Sequence, residues 1–307
     1  MAKPVTQITL GIDVSKDELV VADWANGQVT TLANELAVIR SWLASLPGLT
    51  RMAIEPTSHY HVTVANTAHA QGHEVYLVNP RQLSHYREAV AVRNKTDPED
   101  ALLLARYLAH EGASLRPYRP QTRVAQELWA LLKRRAVVVQ ARKKVEQSFR
   151  DVNLSARALA TEFNAVLRRI DRRMLALIDT LGWSDDYQRC LSIPGIGPLN
   201  AAALVTAFHR GAFSGVDAFV AYIGLDVSLR ESGQMKRKRK LSKRGPAEMR
   251  RLLWCAAKPA RSYGQFEEYY QRQRDKGLSK IAANCILGRK LARVAFALMT
   301  RQEMFNR

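Results

Sequence analysis

The first third of the chain alternates short apolar runs with segments of helical spacing. The apolar runs predict five strands, and an apolar residue every three or four positions predicts four helices. The Asn26-Gly27 pair predicts a two-residue hairpin turn between the second and third strands. The predicted strands are 8–14, 17–23, 28–32, 51–55 and 75–78, and the predicted helices are 35–46, 56–69, 81–90 and 97–110.

The pattern then becomes helical. Residues 124–181 contain no proline and carry two apolar stripes. Helices of this length and charge are predicted either to pair as an antiparallel hairpin or to self-associate as a coiled coil. The remainder is mainly helical, ending in an apolar helix near 281–300. The predicted class is therefore α/β plus all-α, with an α/β domain over 1–115, a helical connector over 116–185 and a mainly helical domain over 186–307.

Four acidic residues interrupt the apolar pattern of the α/β domain. Asp13 lies near the end of the first strand, and Glu55 ends the fourth. Asp97 and Asp100 are three residues apart at a helix start, so both can point to one place. Carboxylates that share a place repel one another unless a cation lies between them, and Mg²⁺ prefers oxygen ligands. Taken alone, Asp97 and Asp100 are better explained as an N-cap and a first-turn acid, and it is the two upstream acids that favour a metal site.

The order of three antiparallel strands followed by alternating helices and strands resembles the ribonuclease H-like fold. That resemblance implies that Asp13, Glu55, Asp97 and Asp100 meet at one sheet edge. Four such acids suit a two-cation phosphodiester site with Mg²⁺, or Mn²⁺ as a substitute. Sugar kinases and actin-like ATPases open with similar strands, but they would need a glycine-rich phosphate loop and a second such domain, which this sequence does not show.

Charge is distributed unevenly along the chain. The formal net charge is +19. Residues 1–115 hold nine Lys or Arg against twelve Asp or Glu, whereas residues 116–307 hold 38 against 16. An acidic first part joined to a basic second part suggests metal chemistry beside a polyanion, which in a cell is most often nucleic acid.

Two segments of the basic half are candidates for nucleic-acid contact. Residues 193–197, Ile-Pro-Gly-Ile-Gly, open a small-residue helix and match a helix-hairpin-helix pattern, in which helix N-terminal N–H groups bind phosphate. Residues 230–251 carry ten Lys or Arg and two Glu. The candidate nucleic-acid-binding residues are Lys95, Gly195, Gly197, Arg230, Lys236, Arg237, Lys238, Arg239, Lys240, Ser242, Lys243 and Arg244.

Two serines lie inside the basic segment. Ser232 is followed by Gly233, which permits close backbone approach, and the surrounding cations would stabilise charge that develops on a phosphoryl group. A free serine is a poor nucleophile, and from spacing alone the interpretation of Ser232 as a turn residue is favoured. Ser242, before Lys243-Arg244-Gly245, is the second candidate and has the features of a phosphate contact or turn.

The cysteines and the chain start predict the compartment. Cys190, Cys255 and Cys285 are scattered and odd in number, which indicates a reducing cytosol rather than a disulfide framework or zinc site. Lys3 and Pro4 lead directly into a strand pattern, so neither a signal peptide nor a membrane span is expected.

Five motifs in order along nearly the whole chain resemble the Piv-like DEDD transposases and DNA invertases of bacterial insertion sequences. They are Gly11-Ile12-Asp13-Val14-Ser15-Lys16, Ile54-Glu55-Pro56-Thr57, the run 93–101, Ile193-Pro194-Gly195-Ile196-Gly197, and Glu231-Ser232-Gly233 with Ser242-Lys243-Arg244-Gly245. The family's four acids fall on Asp13, Glu55, Asp97 and Asp100, and its nucleophilic serine falls on Ser232. Asp226-Val227 departs from the family's Gly-Leu-x-Pro pattern.

The resemblance implies more than the residues do. It implies a Holliday-resolvase-like catalytic domain, a coiled coil for dimerisation and a C-terminal transposase domain. It also implies dimers that assemble into tetramers on donor and target DNA, guided by a structured non-coding bridge RNA in the bacterial cytoplasm, at the nucleoid. Two other functions remain open: a junction nuclease that uses the four acids and water, and a non-enzymatic basic nucleic-acid binder.

Overall fold

A computed structural model describes residues 8–91, 96–152, 155–228, 231–232, 235–236 and 240–306, with only the backbone described at 228, 231, 232, 235, 236 and 240. Contacts divide the chain into two units, Met1–Pro120 and Gln121–Arg307. Across the described residues, no helix combines the length and apolar character that a membrane span requires.

The first unit is built on a five-stranded mixed sheet. Its spatial order is β3-β2-β1-β4-β5; β1, β2 and β3 are antiparallel neighbours, and β4 and β5 run parallel to β1. Tyr118 N–H donates to the Val75 carbonyl at 2.6 Å, so the chain follows the β5 edge before it leaves the unit. The strands are β1 Ile8–Val14, β2 Glu18–Asp23, β3 Val29–Ala33, β4 Thr50–Ile54 and β5 Glu74–Leu77.

Helices cover both faces of this sheet. One core of β1, β2 and β4 residues includes residues of α1 and α2, and a second core joins β4 and β5 residues to those of α3 and α4. The sequence prediction of a helix from residue 56 is wrong: Ser58 takes a left-handed φ of 48°, which forms a turn and delays α2 to His61. The helices are α1 Leu36–Ala44, α2 His61–Ala70, α3 Pro80–Ala89 and α4 Asp97–Glu111.

Helix α4 packs directly on β1 because Gly11 has no side chain. A Cβ at Gly11 would lie 1.9 Å from the Ala101 carbonyl oxygen and 2.3 Å from the Ala105 nitrogen. At the far end of α4, the His110 ring lies 5.6 Å from the ring of Trp24. The backbone N–H of Trp24 donates to the Thr9 carbonyl. Helix α4 therefore runs opposite to β1, and its N-terminus lies at the carboxyl end of that strand.

We expect Gly11→Ala to destabilise the first unit by roughly 3 kcal/mol, since the added methyl overlaps backbone atoms that cannot rotate away. Thermal unfolding of the full chain, followed by circular dichroism, measures this. The control is Gly215→Ala, whose Cβ would meet open space at an extended φ of 168° and should cost less than about 1 kcal/mol. Equal stability of Gly11→Ala and wild type would contradict the close packing of α4 on β1.

Among the described residues of the second unit, the regular elements are helices and four two-residue strands. The strands β6 Val227–Ser228 and β9 Lys240–Leu241 pair with each other, as do β7 Glu231–Ser232 and β8 Met235–Lys236. The helices are α5 Arg123–Ser148, α6 Arg157–Thr180, α7 Ser184–Leu191, α8 Pro198–His209, α9 Val216–Tyr222, α10 Ala247–Ala260, α11 Gly264–Asp275 and α12 Lys280–Arg301.

The two long helices, α5 and α6, form an antiparallel hairpin within the chain. Arg135 binds Asp171 with two hydrogen bonds of 2.5 and 3.0 Å, while Arg173 reaches back to Glu127 at 2.7 and 3.0 Å. The buried apolar residues of α5 and α6, such as Leu128, share one core with residues of α7–α12. The hairpin is thus part of the second unit, because its apolar side is buried against the other helices.

Candidate active site and nucleic-acid interface

Asp13 and Glu55 lie at equivalent places on neighbouring strands. The parallel register pairs Ile12 with Ile54, so the next pair in the same direction is Asp13 and Glu55. Alternation along β1 places Asp13 on the same face as Gly11, which is the face that α4 covers. Both side chains are half-buried. The two acids therefore share the carboxyl edge of the sheet.

Asp97 and Asp100 reach this edge from the start of α4. The helix begins at Asp97 after Thr96, whose carbonyl accepts from the Asp100 N–H at 2.8 Å. Asp97 is therefore the first helical residue rather than the N-cap, and it is exposed. Since α4 runs opposite to β1, both aspartates lie towards the carboxyl end of β1, where Asp13 is found.

Asp100 has a buried ionic partner. It is only 7% exposed, and its Oδ1 accepts from the Arg87 guanidinium of α3 at 2.5 Å. A carboxylate removed from water needs such a partner. The pair joins helices α3 and α4. Residues 92–95 between these helices, which include the predicted contact residue Lys95, lie outside the described part of the chain.

The donor chemistry at this edge suits a hard divalent cation, since all four predicted ligands are carboxylates. Within the described residues, however, no three His, Cys, Asp or Glu side chains lie close enough to hold one metal ion. Asp100 is held against Arg87 instead. The four-acid metal site therefore stays a prediction, with its members on one edge but not gathered around one point.

Replacing Arg87 with methionine should cost roughly 3 to 5 kcal/mol of folding free energy, because it leaves the Asp100 carboxylate buried without its cation. The double variant Arg87→Met/Asp100→Leu should recover most of this loss, since an apolar pair of similar volume needs no charge partner. Denaturant unfolding measures both variants. The control is Arg173→Met, which breaks an exposed pair with Glu127 and should change stability little. A single variant as stable as wild type would show that the pair contributes nothing.

Asn34, which the sequence analysis did not single out, braces the loops that follow Asp13 and Glu55. Its Nδ2 donates to the Ser15 carbonyl at 2.9 Å and to the Tyr60 carbonyl at 3.3 Å. One amide thus connects the segments that follow two of the four acids. An Asn directly after a strand is the only local signal for this role, because both acceptors are distant in sequence.

The histidines near Glu55 have separate environments. His59 is exposed, and its Nδ1 lies 3.2 Å from the Ser58 hydroxyl. His61 is half-buried at the start of α2, and burial lowers its pKa despite an opposing backbone hydrogen bond with Thr57. His61 is accordingly disposed to be neutral at pH 7. The sequence favours ordinary helix-surface or half-buried roles for both histidines over contact with phosphate or metal.

Ser232 lies within residues 226–242, which we call the serine arm. In this segment β6 pairs with β9, and β7 pairs with β8. The backbone places Ser232 at the end of β7, opposite Met235 of β8. Lys236 and Lys240 lie on β8 and β9. Four other predicted contact residues of the arm, Arg230, Arg237, Lys238 and Arg239, lie outside the described residues.

The base of the serine arm is closed by short-range contacts. Gly224 and Gly245 approach so closely that a Cβ on Gly245 would lie 2.4 Å from the Gly224 nitrogen. Ser242 N–H donates to the Asp226 carbonyl at 2.9 Å, and the Ser242 hydroxyl donates to the Asp226 carboxylate. Asp226, at the variable position of the family's Gly-Leu-x-Pro pattern, therefore fixes the position of Ser242.

Two further predicted contact residues follow Ser242 in this turn. Lys243 takes a left-handed φ of 56°, and both it and Arg244 are exposed. The Ser242 oxygen also accepts from the Arg244 N–H at 3.3 Å. The hydroxyl of Ser242 is thus occupied in forming a turn, which agrees with the turn role considered for it from the sequence.

The helix-hairpin-helix candidate is the turn between α7 and α8. Gly195 has a φ of 86°, and a Cβ there would lie 2.6 Å from the Ala256 carbonyl oxygen of α10. Packing on α10 and this left-handed conformation both explain why glycine is present. Gly197 precedes α8 in open space. Phosphate binding by Gly195 and Gly197 stays a prediction.

Comparisons with known proteins match two stretches of the chain to transposase families. A family model described as a transposase matches residues 10–154, and one described as the transposase IS116/IS110/IS902 family matches residues 187–271. The pilin gene-inverting protein of Moraxella bovis is 26% identical over 97% of both chains, and that of Moraxella lacunata is 25% identical over the same shares. The transposase for insertion sequence element IS1328 of Yersinia enterocolitica is 24% identical over 97% of this chain and 98% of its own.

Proposed function

This chain belongs to the IS110/IS116/IS902 family of DEDD transposases, and from that membership we propose that it is a Mg²⁺-dependent DNA recombinase acting through a phosphoserine intermediate. The observation that carries the proposal is the placement of Asp13, Glu55, Asp97 and Asp100 at one edge of a mixed sheet that is consistent with a ribonuclease H-like fold.

The acids would hold the cation, and Ser232 would carry out the strand transfer. When bound, Mg²⁺ supplies charge stabilisation at the scissile phosphate. Ser232 Oγ attacks phosphorus, a P–O bond to deoxyribose breaks, and the released DNA end receives a proton as a hydroxyl. A hydroxyl of the exchanged strand then attacks the phosphoserine and frees Ser232. Each step forms one phosphodiester as it breaks another, so no external energy source is needed.

The basic second unit would hold the DNA. The charge excess beyond residue 116 lies on the same part of the chain as Ser232. Each phosphate neutralised by Lys or Arg releases counterions, which makes binding strong at low salt and insensitive to sequence. The segment 230–251 places ten of these cations around the serine arm.

A guide RNA and a tetramer form the finer part of the proposal. The family resemblance supports a structured bridge RNA that pairs with donor and target DNA. Self-association is supported by apolar side chains left in solvent on the α5–α6 hairpin: Val137 is 63% exposed, and Leu159, Val166 and Leu175 are also exposed. A composite site, with acids from one protomer and serine from another, would follow from such an assembly.

The second candidate is a junction nuclease that uses the four acids and water. It is favoured by the same sheet edge and needs nothing from the serine arm. The two functions differ in their products, since hydrolysis breaks the strand and discards the bond that recombination keeps.

The full-length protein separates these functions in one assay. It is incubated with donor and target DNA, RNA transcribed from the DNA that flanks its reading frame, and Mg²⁺ or EDTA. Recombinant junctions, found by sequencing across the new joints, are expected only with Mg²⁺. Cut DNA without junctions or adduct would favour the nuclease, and binding without cutting in Mg²⁺ would favour the non-enzymatic binder. Junction formation without the RNA would contradict the guide.

A further inference from the structure

A cavity of about 220 Å³ lies at the base of the serine arm. Leu225 and Leu241, just outside and near the end of the arm, line it. Leu253 and Trp254 of α10 and Cys285 of α12 line it too. A cavity of about 150 Å³ is enough for benzene. This one is therefore large enough for a single six-membered heterocyclic ring.

Cations surround this apolar space. Arg250 and Arg251 are among its lining residues. Arg250 donates to the Gly245 carbonyl, and Arg251 binds Glu248 at 2.5 and 2.7 Å, so both guanidiniums are held in place. Burial raises the pKa of the Cys285 thiol, and the nearby Lys243 ammonium opposes that rise. The cavity thus combines an apolar lining with two nearby cations, Arg250 and Lys243, in addition to the Arg251–Glu248 ion pair.

We propose that this cavity binds one unpaired base of the DNA strand that lies along the serine arm. An apolar and aromatic lining suits a base, which packs there without regard to its identity. Arg250 and Lys243 suit the phosphates on either side of that base, whereas Arg251 is already paired with Glu248. An apolar peptide would match the interior but not the cations, and a free anion would match the cations but not the interior.

The inference rests on the proposed function, because strand exchange requires bases to leave one duplex before they enter another. A base held at the foot of the arm would fix the register of the strand relative to Ser232. The cavity would therefore help to decide which phosphate is cleaved. It would also compensate for the loss of stacking when that base leaves the duplex.

The two half-buried cysteines of the second unit allow a direct test by thiol footprinting. Cys285 lines the cavity, whereas Cys255 of α10 does not. Cys190 is fully buried, and burial raises its pKa, so it should not react in the folded protein. Labelling of each thiol by N-ethylmaleimide is followed by mass spectrometry on the full-length protein, with and without DNA.

Single-stranded DNA at ten times its dissociation constant should slow Cys285 labelling about tenfold, because about one protein in eleven then remains free. Cys255 labelling should stay unchanged. An oligonucleotide of the same length with abasic sites, added to equal occupancy, should leave Cys285 reactive. Equal protection by the abasic strand would overturn the base pocket in favour of phosphate contact alone. Protection by RNA but not by DNA would overturn the assignment to a DNA strand.

Filling the cavity with a larger side chain at residue 285 gives a second, independent test of base binding. Cys285→Leu should weaken binding of single-stranded DNA relative to duplex DNA, and it should spread cleavage over several neighbouring phosphates. Cys255→Leu should have neither effect. Unchanged affinity ratio and cleavage position in a folded Cys285→Leu protein would overturn the proposal. If wild type forms recombinants but DNA leaves Cys285 unprotected, only the cavity inference fails. If wild type forms neither adduct nor recombinant, the proposed function itself fails.

Discussion

Ser232→Ala should form no covalent protein–DNA adduct and should reduce recombination on the order of 10³-fold or more. Alanine removes the oxygen that would receive the phosphoryl group, so the phosphoserine ester that conserves the energy of the broken phosphodiester bond cannot form. Ser232 lies at the end of a short strand, opposite Met235, where alanine is compatible with the backbone pairing. The variant should therefore fold and bind DNA and RNA as wild type does.

The measurement is a denaturing gel of labelled substrate DNA with Mg²⁺ present, on which an adduct migrates with the protein. Ser242→Ala is the matched control, because it removes a second hydroxyl from the same basic segment. It should retain the adduct, with some loss of binding as the contact with Asp226 is broken. An adduct that survives in Ser232→Ala but disappears in Ser242→Ala would move the nucleophile to Ser242.

Neutralising any of the four acids should abolish strand cleavage, on the order of 10³-fold or more, while nucleic-acid binding persists. The variants are Asp13→Asn, Glu55→Gln, Asp97→Asn and Asp100→Asn. Each keeps the size of the side chain and removes the charge that would attract a cation. Asp97→Asn is the cleanest of these, because Asp97 is exposed. Asp100→Asn also loses its ion pair with Arg87.

Cleavage of labelled DNA and filter binding are measured side by side for these variants, with folding checked by thermal unfolding. Glu111→Gln is the control: it is exposed at the opposite end of the same helix and should behave as wild type. Because Asp100→Asn alone has a structural cost, its result counts only where the protein remains folded. Full recombination in any two of the acid variants would eliminate the metal-site assignment.

Local sequence patterns determined much of the architecture. Short apolar runs located the five described strands of the first unit within two residues, because strands that are covered on both faces are buried at consecutive positions. Asp13 was visible as a break in an apolar run, Glu55 as the acid that ends the fourth strand, and Asp97 and Asp100 as acids at a helix start. The charge asymmetry also needs no structure, and the ordered motifs were enough to indicate the transposase family that the comparisons confirm.

Other features depended on the tertiary structure because they join residues that are far apart in the sequence. Arg87 neutralises Asp100, and Asn34 reaches the carbonyls of Ser15 and Tyr60. Gly195 contacts α10 more than fifty residues later. The sequence left two arrangements open for the long helices, and ion pairs such as Arg135 with Asp171 decide for the antiparallel hairpin.

The arrangement of the four acids depends on both the local sequence and the tertiary packing. Their place on one edge follows from strand and helix ends, which local sequence specifies. Whether they gather depends on what each carboxylate contacts, and for Asp100 that contact is a guanidinium from a neighbouring helix. Periodicity encodes which face a residue occupies, whereas the partner on that face is decided only when the elements pack together.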